Sequence, residues 1–307
     1  MQNWRKVGMV FCPSNNYDWM VSHASVPFAE NLSGDMFKVF FSSRDANDES
    51  SIGFVVFDIH KPNVILDISS KPVISKGELG AFDDSGCMGS CLVNYNDKKL
   101  LYYIGWNLGK TVPFRNSIGL AISEDGINYR KAYYGPIIDR TKDEPHFVAS
   151  NCVVIDNDIF KIWYLSCTGW KSRNGVVTHE YHIKYAESKD GINWTRNGDV
   201  AIDFANEYEY AISVPRVIKE DGLYKMWFSS RGSKGAATYR IRYAESNDGM
   251  QWNRRDNLVR LNVSKKGWDS EMIESPFVFD HVGQRYMLYN GNGYGETGFG
   301  LAVLEQG

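Results

Sequence analysis

One unit of about 60 residues is repeated five times along this chain. Each copy contains a hydrophobic strand that ends in an aromatic residue, called here the register aromatic. These residues follow one another after 62, 61, 64 and 61 positions: Phe41, Tyr103, Tyr164, Phe228 and Tyr289. Because each copy holds several short strand-like segments separated by Gly, Asn and Asp, the period predicts a β-propeller or another array of small β-sheets.

The third copy shows the expected strands most clearly, at residues 147–156, 159–167, 181–190 and 192–198. Apolar and polar residues alternate in these segments, aromatic and β-branched residues are frequent, and no window has a sustained helical period. The sequence therefore predicts an all-β, five-bladed propeller with four antiparallel strands in each blade.

The two ends of the chain are predicted to share one blade. The fifth copy stops after "GFGLAVLEQG" without an outer strand, while "WRKVGMVF" near the start has no partner. Pairing them closes the ring with the N-terminal strand and removes exposed strand edges. The chain 1–307 is then a single domain, with blades at about 20–75, 80–140, 143–203, 207–262, and 268–307 plus 1–12.

Three copies carry an Asp-Gly turn after the register aromatic: "SEDGINY" from Ser123, "SKDGINW" from Ser188 and "SNDGMQW" from Ser246. The glycine supplies the positive φ that a tight turn needs. The motif resembles the Asp box of sialidases but lacks the spacer between Asp and Gly. We interpret these segments as structural turns that hold the outer strands together.

Composition excludes several classes of function. A net charge of −3 gives no general attraction to nucleic acid or anionic membrane, and no run is apolar enough for a membrane span or a signal peptide. The five cysteines have no metal-ligand spacing: Cys12, Cys87, Cys91, Cys152 and Cys167. We therefore expect a cytoplasmic protein with free thiols, no required cofactor and no metal ligand set. A divalent cation could still bind in the central channel of the predicted propeller.

Propeller geometry predicts where a site lies, because the start of each first strand and the loop after each second strand share one face. Counting back from the register aromatics places one imidazole and several carboxylates at these starts: His23, Asp84, Glu144, Glu209 and Glu271, with Asp83, Asp143, Glu207 and Asp269 beside them. The loops after the second strands add further polar and aromatic groups: Arg44, Asp45, Trp106, Asn107, Trp170, Arg231, Asn290 and Asn292.

Each candidate also has a structural interpretation. Acidic residues at strand starts are often solvated turn residues, and Trp106 and Trp170 would serve blade packing as well as stacking on a sugar. The arginines would suit salt bridges between blades or recognition of a phosphate or carboxylate: Arg44, Arg115, Arg216 and Arg231.

Characteristic segments are distributed along the whole chain: "SHASVPF", "FSSRD", "FDDSG", "YYIGWN", "IGLAISEDGINY", "IKYAESKDGINW", "GWDSEM" and "MLYNGNGYGETGFGLAV". In these segments the chain resembles the glycosidase-like five-bladed propellers related to glycoside hydrolase families 32, 43, 68 and 130, and more closely an uncharacterised branch found with bacterial surface-polysaccharide genes.

The family 43 pattern implies an Asp base, an orienting Asp and a Glu acid in the first three blades. By position, His23 replaces the base, Asp84 matches the second Asp, and Glu144 or Asp143 matches the acid. Glycoside hydrolysis needs two carboxyl groups roughly 5–10 Å apart. From the residues, Asp84 with Glu209 or Glu271 is our preferred pair, with His23 as base or phosphate contact.

The sequence thus predicts an enzyme that makes or breaks a glycosidic bond on an anionic or activated sugar, with a sugar phosphate or nucleotide sugar as substrate. Hydrolysis, phosphorolysis and transfer stay open, since a missing base matters less when phosphate is the nucleophile, as in family 130. The alternative is a non-catalytic sugar-binding or scaffolding propeller, and a sialidase-like function ranks third.

Overall fold

The computed structural model describes residues 1–173, 175–232 and 237–305, and the chain is nearly all β. These residues form strands β1 to β21, one 3₁₀ turn (Asp256–Leu258) and one short helical turn, α1 (Asn292–Gly295). Within the described ranges, no helix combines the length and the apolar character that crossing a bilayer requires.

The strands fall into five successive antiparallel sets, called repeats 1 to 5. Repeat 1 contains β2 (Ser22–Ser33), β3 (Met36–Arg44), β4 (Ser50–Asp58) and β5 (Ile65–Ile68). Repeat 2 contains β6 (Gly86–Tyr95), β7 (Lys98–Leu108), β8 (Phe114–Ser123) and β9 (Arg130–Lys131). Repeat 3 contains β10 (Val148–Asp156), β11 (Ile159–Arg173), β12 (Val176–Ser188) and β13 (Val200–Ile202).

Repeat 4 contains β14 (Ala211–Glu220), β15 (Leu223–Arg231), β16 (Arg240–Ser246) and β17 (Asn253–Arg254). Repeat 5 contains β19 (Glu274–His281), β20 (Gln284–Asn290), β21 (Phe299–Leu304) and β1 (Gln2–Phe11), with β18 (Val259–Arg260) parallel to β1. The first and last strands of the chain therefore lie side by side in one sheet.

Neighbouring repeats are joined at a β-bulge in the first strand of each repeat, where a backbone N–H donates to a side-chain oxygen of the preceding repeat. The five bonds are Val26 to Asn290 (2.8 Å), Gly89 to Ser42 (2.9 Å), Asn151 to Ser90 (2.7 Å), Val214 to Ser150 (2.9 Å) and Ser275 to Ser229 (2.8 Å). Each bond fixes one first strand against the previous repeat, and a proline follows three of the donors: Val26, Val214 and Ser275.

The Asp-Gly turns have the structural role predicted for them. In the second turn Gly191 has φ 72°, and the carboxylate of Asp190 accepts from the backbone N–H groups of Ile192 and Asn193, both at 2.8 Å. The glycine carbonyl accepts from a side chain in the preceding repeat, here from Tyr102 Oη at 3.0 Å. Each such turn therefore also ties two repeats together.

Four repeats contain a buried carboxylate clamp, in which an acid before the first strand binds a basic residue from the outer side of the same repeat. The clamps are Asp83 with Lys131 (2.5 Å), Glu144 with Arg196 (3.0 Å), Glu209 with Arg254 (2.6 Å) and Asp269 with Lys6 (2.5 Å). Three register aromatics donate to these acids at 3.0 Å: Tyr103, Tyr164 and Tyr289.

Repeat 1 replaces this clamp by apolar packing. Its register aromatic is Phe41, which has no hydroxyl, and Met20 lies buried in the same hydrophobic cluster, with Ile68 packed against it. The acid, the base and the tyrosine hydroxyl of the clamp are thus all replaced by apolar groups in repeat 1, which avoids a buried acid or base without a partner.

We predict that Glu144→Ala destabilises the fold by about 3–5 kcal/mol, because it leaves Arg196 buried without its counter-charge. The adjacent Asp143→Ala is the matched control, since the Asp143 side chain is 74% exposed, against 5% for Glu144. Urea unfolding of both variants measures the effect. Equal small changes in both would show that the clamp does not support the fold.

Candidate active site

The start of each first strand pairs with the end of the second strand in the same repeat. The pairs are Ser22 with Arg44, Gly86 with Trp106, Val148 with Ser166, Ala211 with Arg231 and Glu274 with Asn290. The two regions from which site residues were predicted, the starts of the first strands and the ends of the second strands, therefore lie at the same end of each repeat.

Arg231, at the end of β15, is the centre of what we call the arginine site. Its Nη1 donates to Tyr294 Oη at 2.7 Å and its Nη2 lies 3.3 Å from His179 Nε2. The guanidinium also lies over the rings of Tyr210, Tyr239 and Tyr294, at 5.2, 4.9 and 5.9 Å. Aromatic groups thus hold this cation in place.

Glu274, the first residue of β19, adds a carboxyl group to the arginine site. It is only 6% exposed, and it lies within electrostatic range of Arg231, Tyr181 and Tyr239. Burial raises the pKa of Glu274 to about 8, against the opposing effect of the Arg231 charge. The Glu274 carboxyl therefore carries a proton at neutral pH, which is the state a general acid needs.

His179 forms the next wall of the arginine site. Burial, and then the charge of Arg231, lower the pKa of His179 to about 4, so its imidazole is neutral. The ring stacks on Tyr181 with centroids 4.9 Å apart and meets Trp170 edge-on at 5.3 Å. Phe114 and Phe147 also pack against Trp170, which gives the arginine site an aromatic side.

A second group of charges lies at the start of repeat 1. Burial, followed by the charge of Arg44, lowers the pKa of His23, while Glu296 acts in the opposite direction. The loop that carries Glu296 also carries Tyr294, whose backbone carbonyl accepts from Ser25 Oγ at 2.6 Å. One loop therefore connects the His23 group with the arginine site.

Four predicted carboxylates are already paired in the clamps: Asp83, Glu144, Glu209 and Asp269. Burial alone would raise the pKa of Glu209, but the Arg254 hydrogen bonds, at 2.6 and 3.0 Å, lower it below its ordinary value. A charged, paired carboxylate is a poor proton donor, so these contacts favour the structural interpretation of the four acids.

Asp84 and Glu271, the two remaining acids of the preferred catalytic pairs, differ from each other. Asp84 is half-buried and accepts from the Gly80 N–H at 3.0 Å and from Ser85 Oγ at 3.1 Å. Glu271 is exposed, and its backbone N–H donates to Asn292 Oδ1 at 2.8 Å. Their catalytic roles stay predictions.

Most of the remaining predicted residues have structural hydrogen bonds. Trp106 donates to Ser50 Oγ at 2.7 Å, Asp45 accepts from two backbone N–H groups of its own turn, and Asn290 and Asn292 bind backbone groups. Asn107 pairs with the exposed Arg115 across β7 and β8. Arg216 lies further along β14, away from the strand starts.

Aligning the first strands with one another would have identified Glu274, whereas counting back from the register aromatics does not. Glu274-Ser-Pro occupies the register of Ser25-Val-Pro and Ser213-Val-Pro, at the bulge in each strand. A carboxyl thus replaces a serine hydroxyl in one repeat.

His179 and Tyr181 come from the third strand β12, which the blade geometry did not single out. Tyr239 and Tyr294 lie in loops after second strands, a region that it did single out, but neither residue was among the candidates. In the described ranges, no three His, Cys, Asp or Glu residues form a group suited to a metal ion.

Sequence comparison finds a full-length relative. The uncharacterised protein Rv1502 of Mycobacterium tuberculosis is 43% identical over 302 residues, covering 98% of this chain and 99% of the relative. A 1,2-β-oligomannan phosphorylase of Thermoanaerobacter is 30% identical over 136 residues, 44% of this chain and 45% of that enzyme. No protein-family profile matches the chain.

The fold is shared with solved carbohydrate-active enzymes of the propeller type. A glycoside hydrolase aligns with a TM-score of 0.74 at 19% identity, over 98% of this chain and 90% of its own. A glycosyl hydrolase from Bacteroides ovatus gives 0.69 at 16% identity, over 98% and 93%. A family 130 structure, from a group described as mannoside phosphorylases that contains hydrolases of β-1,2 mannosidic linkages, gives 0.72 at 15%, over 99% and 94%.

We predict that Glu274 makes the fold less stable as pH rises. Its pKa moves from an ordinary 4.5 to about 8 on folding, so between these values the unfolded chain has lost a proton that the folded chain keeps. Unfolding then becomes easier with rising pH. Glu274→Gln has no ionisable group at this position, so its stability lacks this dependence on pH. The free energy of unfolding of Glu274→Gln minus that of the wild type should therefore rise between pH 5 and pH 8 by on the order of 3 kcal/mol.

Urea unfolding at several pH values measures the difference. Glu271→Gln, three positions earlier and exposed, is the matched control and should follow wild type. Identical pH profiles for wild type and Glu274→Gln would mean that the carboxyl ionises normally in the folded protein.

Proposed function

This chain belongs to the family of the uncharacterised mycobacterial protein Rv1502, and we propose that it is a carbohydrate-active enzyme that makes or breaks a glycosidic bond. Support comes from the glycoside hydrolase and phosphorylase relatives and from the chemistry of the arginine site.

The observation that carries this proposal is the buried carboxyl of Glu274 in an aromatic site. Cleaving a glycosidic bond requires a proton for the leaving oxygen, and a carboxylic acid that stays protonated at neutral pH provides it. Burial raises the pKa of Glu274 to about 8, which suits this step. The rings of Trp170 and Phe114 offer apolar faces of the kind that sugars stack on.

Arg231 gives the site a fixed positive charge next to this acid. We propose that it holds an anionic group, either on the sugar donor or on inorganic phosphate, since a guanidinium matches phosphate and carboxylate oxygens. Asp84 or His23 is the proposed base or nucleophile contact. Phosphorolysis is our preferred reaction, because His23 stands where a base carboxylate is expected.

Further parts of the proposal concern the assembly and its setting. We propose that the five repeats are five blades of one closed ring and one domain, because the bulge hydrogen bonds connect each repeat to the preceding one, including repeat 1 to repeat 5. We also propose a cytoplasmic role in bacterial surface-polysaccharide metabolism, with a sugar phosphate or nucleotide sugar as substrate.

Glu274→Gln should lower kcat/KM on β-1,2-linked mannooligosaccharides by about 10²–10⁴, because a general acid contributes that much. Dinitrophenyl glycosides have a leaving group that needs no proton, so their turnover should fall far less. The wild-type rate should decline above pH 8. Glu124→Gln, a 67% exposed carboxylate in repeat 2, is the control. Equal losses on both substrate types would rule out the acid role.

Arg231→Lys should raise the KM for inorganic phosphate about tenfold or more, because it loses a charge-assisted hydrogen bond of about 1.5–3 kcal/mol. The assay follows formation of sugar 1-phosphate with and without phosphate. Release of free sugar at a rate independent of phosphate would instead identify a hydrolase.

Sugar binding without catalysis is the second candidate, favoured by His23 at the position of the base. In that case the wild type binds oligosaccharides by calorimetry but turns over no glycosyl donor, and Glu274→Gln changes neither result. Binding together with turnover favours the enzyme.

A further inference from the structure

Five side chains from the five first strands occupy one level along those strands. Each pairs with the residue just before a register aromatic: Phe28 with Phe40, Cys91 with Tyr102, Cys152 with Trp163, Arg216 with Trp227 and Phe277 with Leu288. Two of the five are thiols and one is a guanidinium. No step of the proposed reaction uses these three groups.

The two thiols lie where repeats 2 and 3 touch. Cys91 Sγ accepts from the backbone N–H of Val153 at 3.3 Å, directly beside Cys152. One position earlier, Ser90 Oγ donates to the carbonyl of Asn151 at 2.9 Å. The Cys91 thiol donates to the Val153 carbonyl at 3.7 Å, and the Cys91 and Cys152 sulfurs influence each other's ionisation.

The Cys152 sulfur lies in surroundings that favour a thiolate. It accepts from the Val217 N–H at 3.3 Å, and the charge of Arg216 acts on it. The guanidinium of Arg216 lies 4.1 Å from the ring centre of Phe277, and its Nε donates to the carbonyl of Val278 at 2.9 Å. These contacts fix the cation beside the thiols.

Hydrogen bonding from Cys91, opposed by burial and assisted by Arg216, lowers the pKa of Cys152 to about 6, whereas that of Cys91 is raised. Burial instead raises the pKa of Cys167 to about 11 and that of Cys87 well above its ordinary value. Thiolates, and not thiols, react with oxidants.

A narrow cavity reaches this level of the first strands. Cys91, Cys152 and Arg216 all line it, together with Ser90 and Phe277. The volume open to the centre of a water-sized sphere is about 10 Å³, near the minimum that holds one water molecule. The cavity therefore has room for a group of about the size of one water molecule and excludes a peptide disulfide, so only a very small oxidant could reach the two buried thiols.

We propose that Cys91 and Cys152 form a peroxide-sensitive dithiol that closes to a disulfide between repeats 2 and 3. The Cys152 thiolate attacks one peroxide oxygen, the O–O bond breaks, and the leaving hydroxide takes a proton to become water. The resulting sulfenic acid is attacked by the Cys91 sulfur, which loses its proton, and a second water leaves as the S–S bond forms. Two thiols and one peroxide thus give one disulfide and two waters.

The test treats the reduced full-length protein with hydrogen peroxide and maps its disulfides by mass spectrometry. We expect a loss of two of the five free thiols and a link between the Cys91 and Cys152 peptides, which a dithiol reductant reverses. Oxidised glutathione, which is too large for the cavity, should leave the thiols free. Retention of all five thiols, or a link that joins other cysteines, would overturn the proposal.

Variants assign the roles. In Cys91→Ser the oxidation should stop at the sulfenic acid of Cys152, which dimedone traps. Arg216→Met should lower the rate of oxidation about tenfold or more, because a smaller fraction of Cys152 is thiolate. Cys167→Ser, which removes a buried thiol outside the pair, should form the same link as wild type. Dimedone on Cys91 and not on Cys152, or no effect of Arg216→Met on the rate, would contradict the roles. The wild-type mapping decides the pair itself if a variant fails to fold.

Discussion

The arrangement of the repeats depends on one hydrogen bond that occurs five times, from a backbone N–H at the bulge of a first strand to a side-chain oxygen of the preceding repeat. Val26 and Val214 have φ of 51° and 48° there, where a β-branched residue is strained. Because Asn290 and Ser150 hold these N–H groups, neighbouring repeats maintain the strain. The bulge therefore sets both the contact between repeats and the direction of the side chains around it.

Glu274 illustrates how this constraint produces a site. It begins the bulge in repeat 5, where repeats 1 and 4 have Ser25 and Ser213. The serine at this position in repeat 1, Ser25, donates to the Tyr294 carbonyl of repeat 5 at 2.6 Å. The longer glutamate side chain lies near Arg231 and the tyrosines of neighbouring repeats, where burial raises its pKa to about 8. A single residue difference at this bulge thus places a buried carboxyl between repeats without altering the fold.

The sequence was sufficient for the first three strands of the third repeat and for the turns, because they follow from local patterns: alternation, Asp-Gly turns and the spacing of Tyr103 and its equivalents. The fourth strand of that repeat was predicted at 192–198 but lies at Val200–Ile202, because the short outer strand has no such pattern. The sequence also singled out Arg231 and Trp170. It could not separate a clamp acid such as Glu209 from a reacting acid, since that depends on Arg254, 45 positions away. Glu274 was not predicted as a site residue, because its raised pKa arises from burial among residues of several repeats. The spacing of residues within a single repeat does not reveal such burial.

The positions at which the repeats differ are the informative ones. Four repeats have a charged clamp, whereas the corresponding residues of repeat 1 are all apolar, as expected for a purely structural feature. At the level of Cys152 the five residues also differ, and Arg216 has no carboxylate among them. The face of Phe277 and the Val278 carbonyl hold its guanidinium instead. Arg216 therefore connects the surroundings of the Cys152 sulfur in repeat 3 with the packing of the first strand in repeat 5.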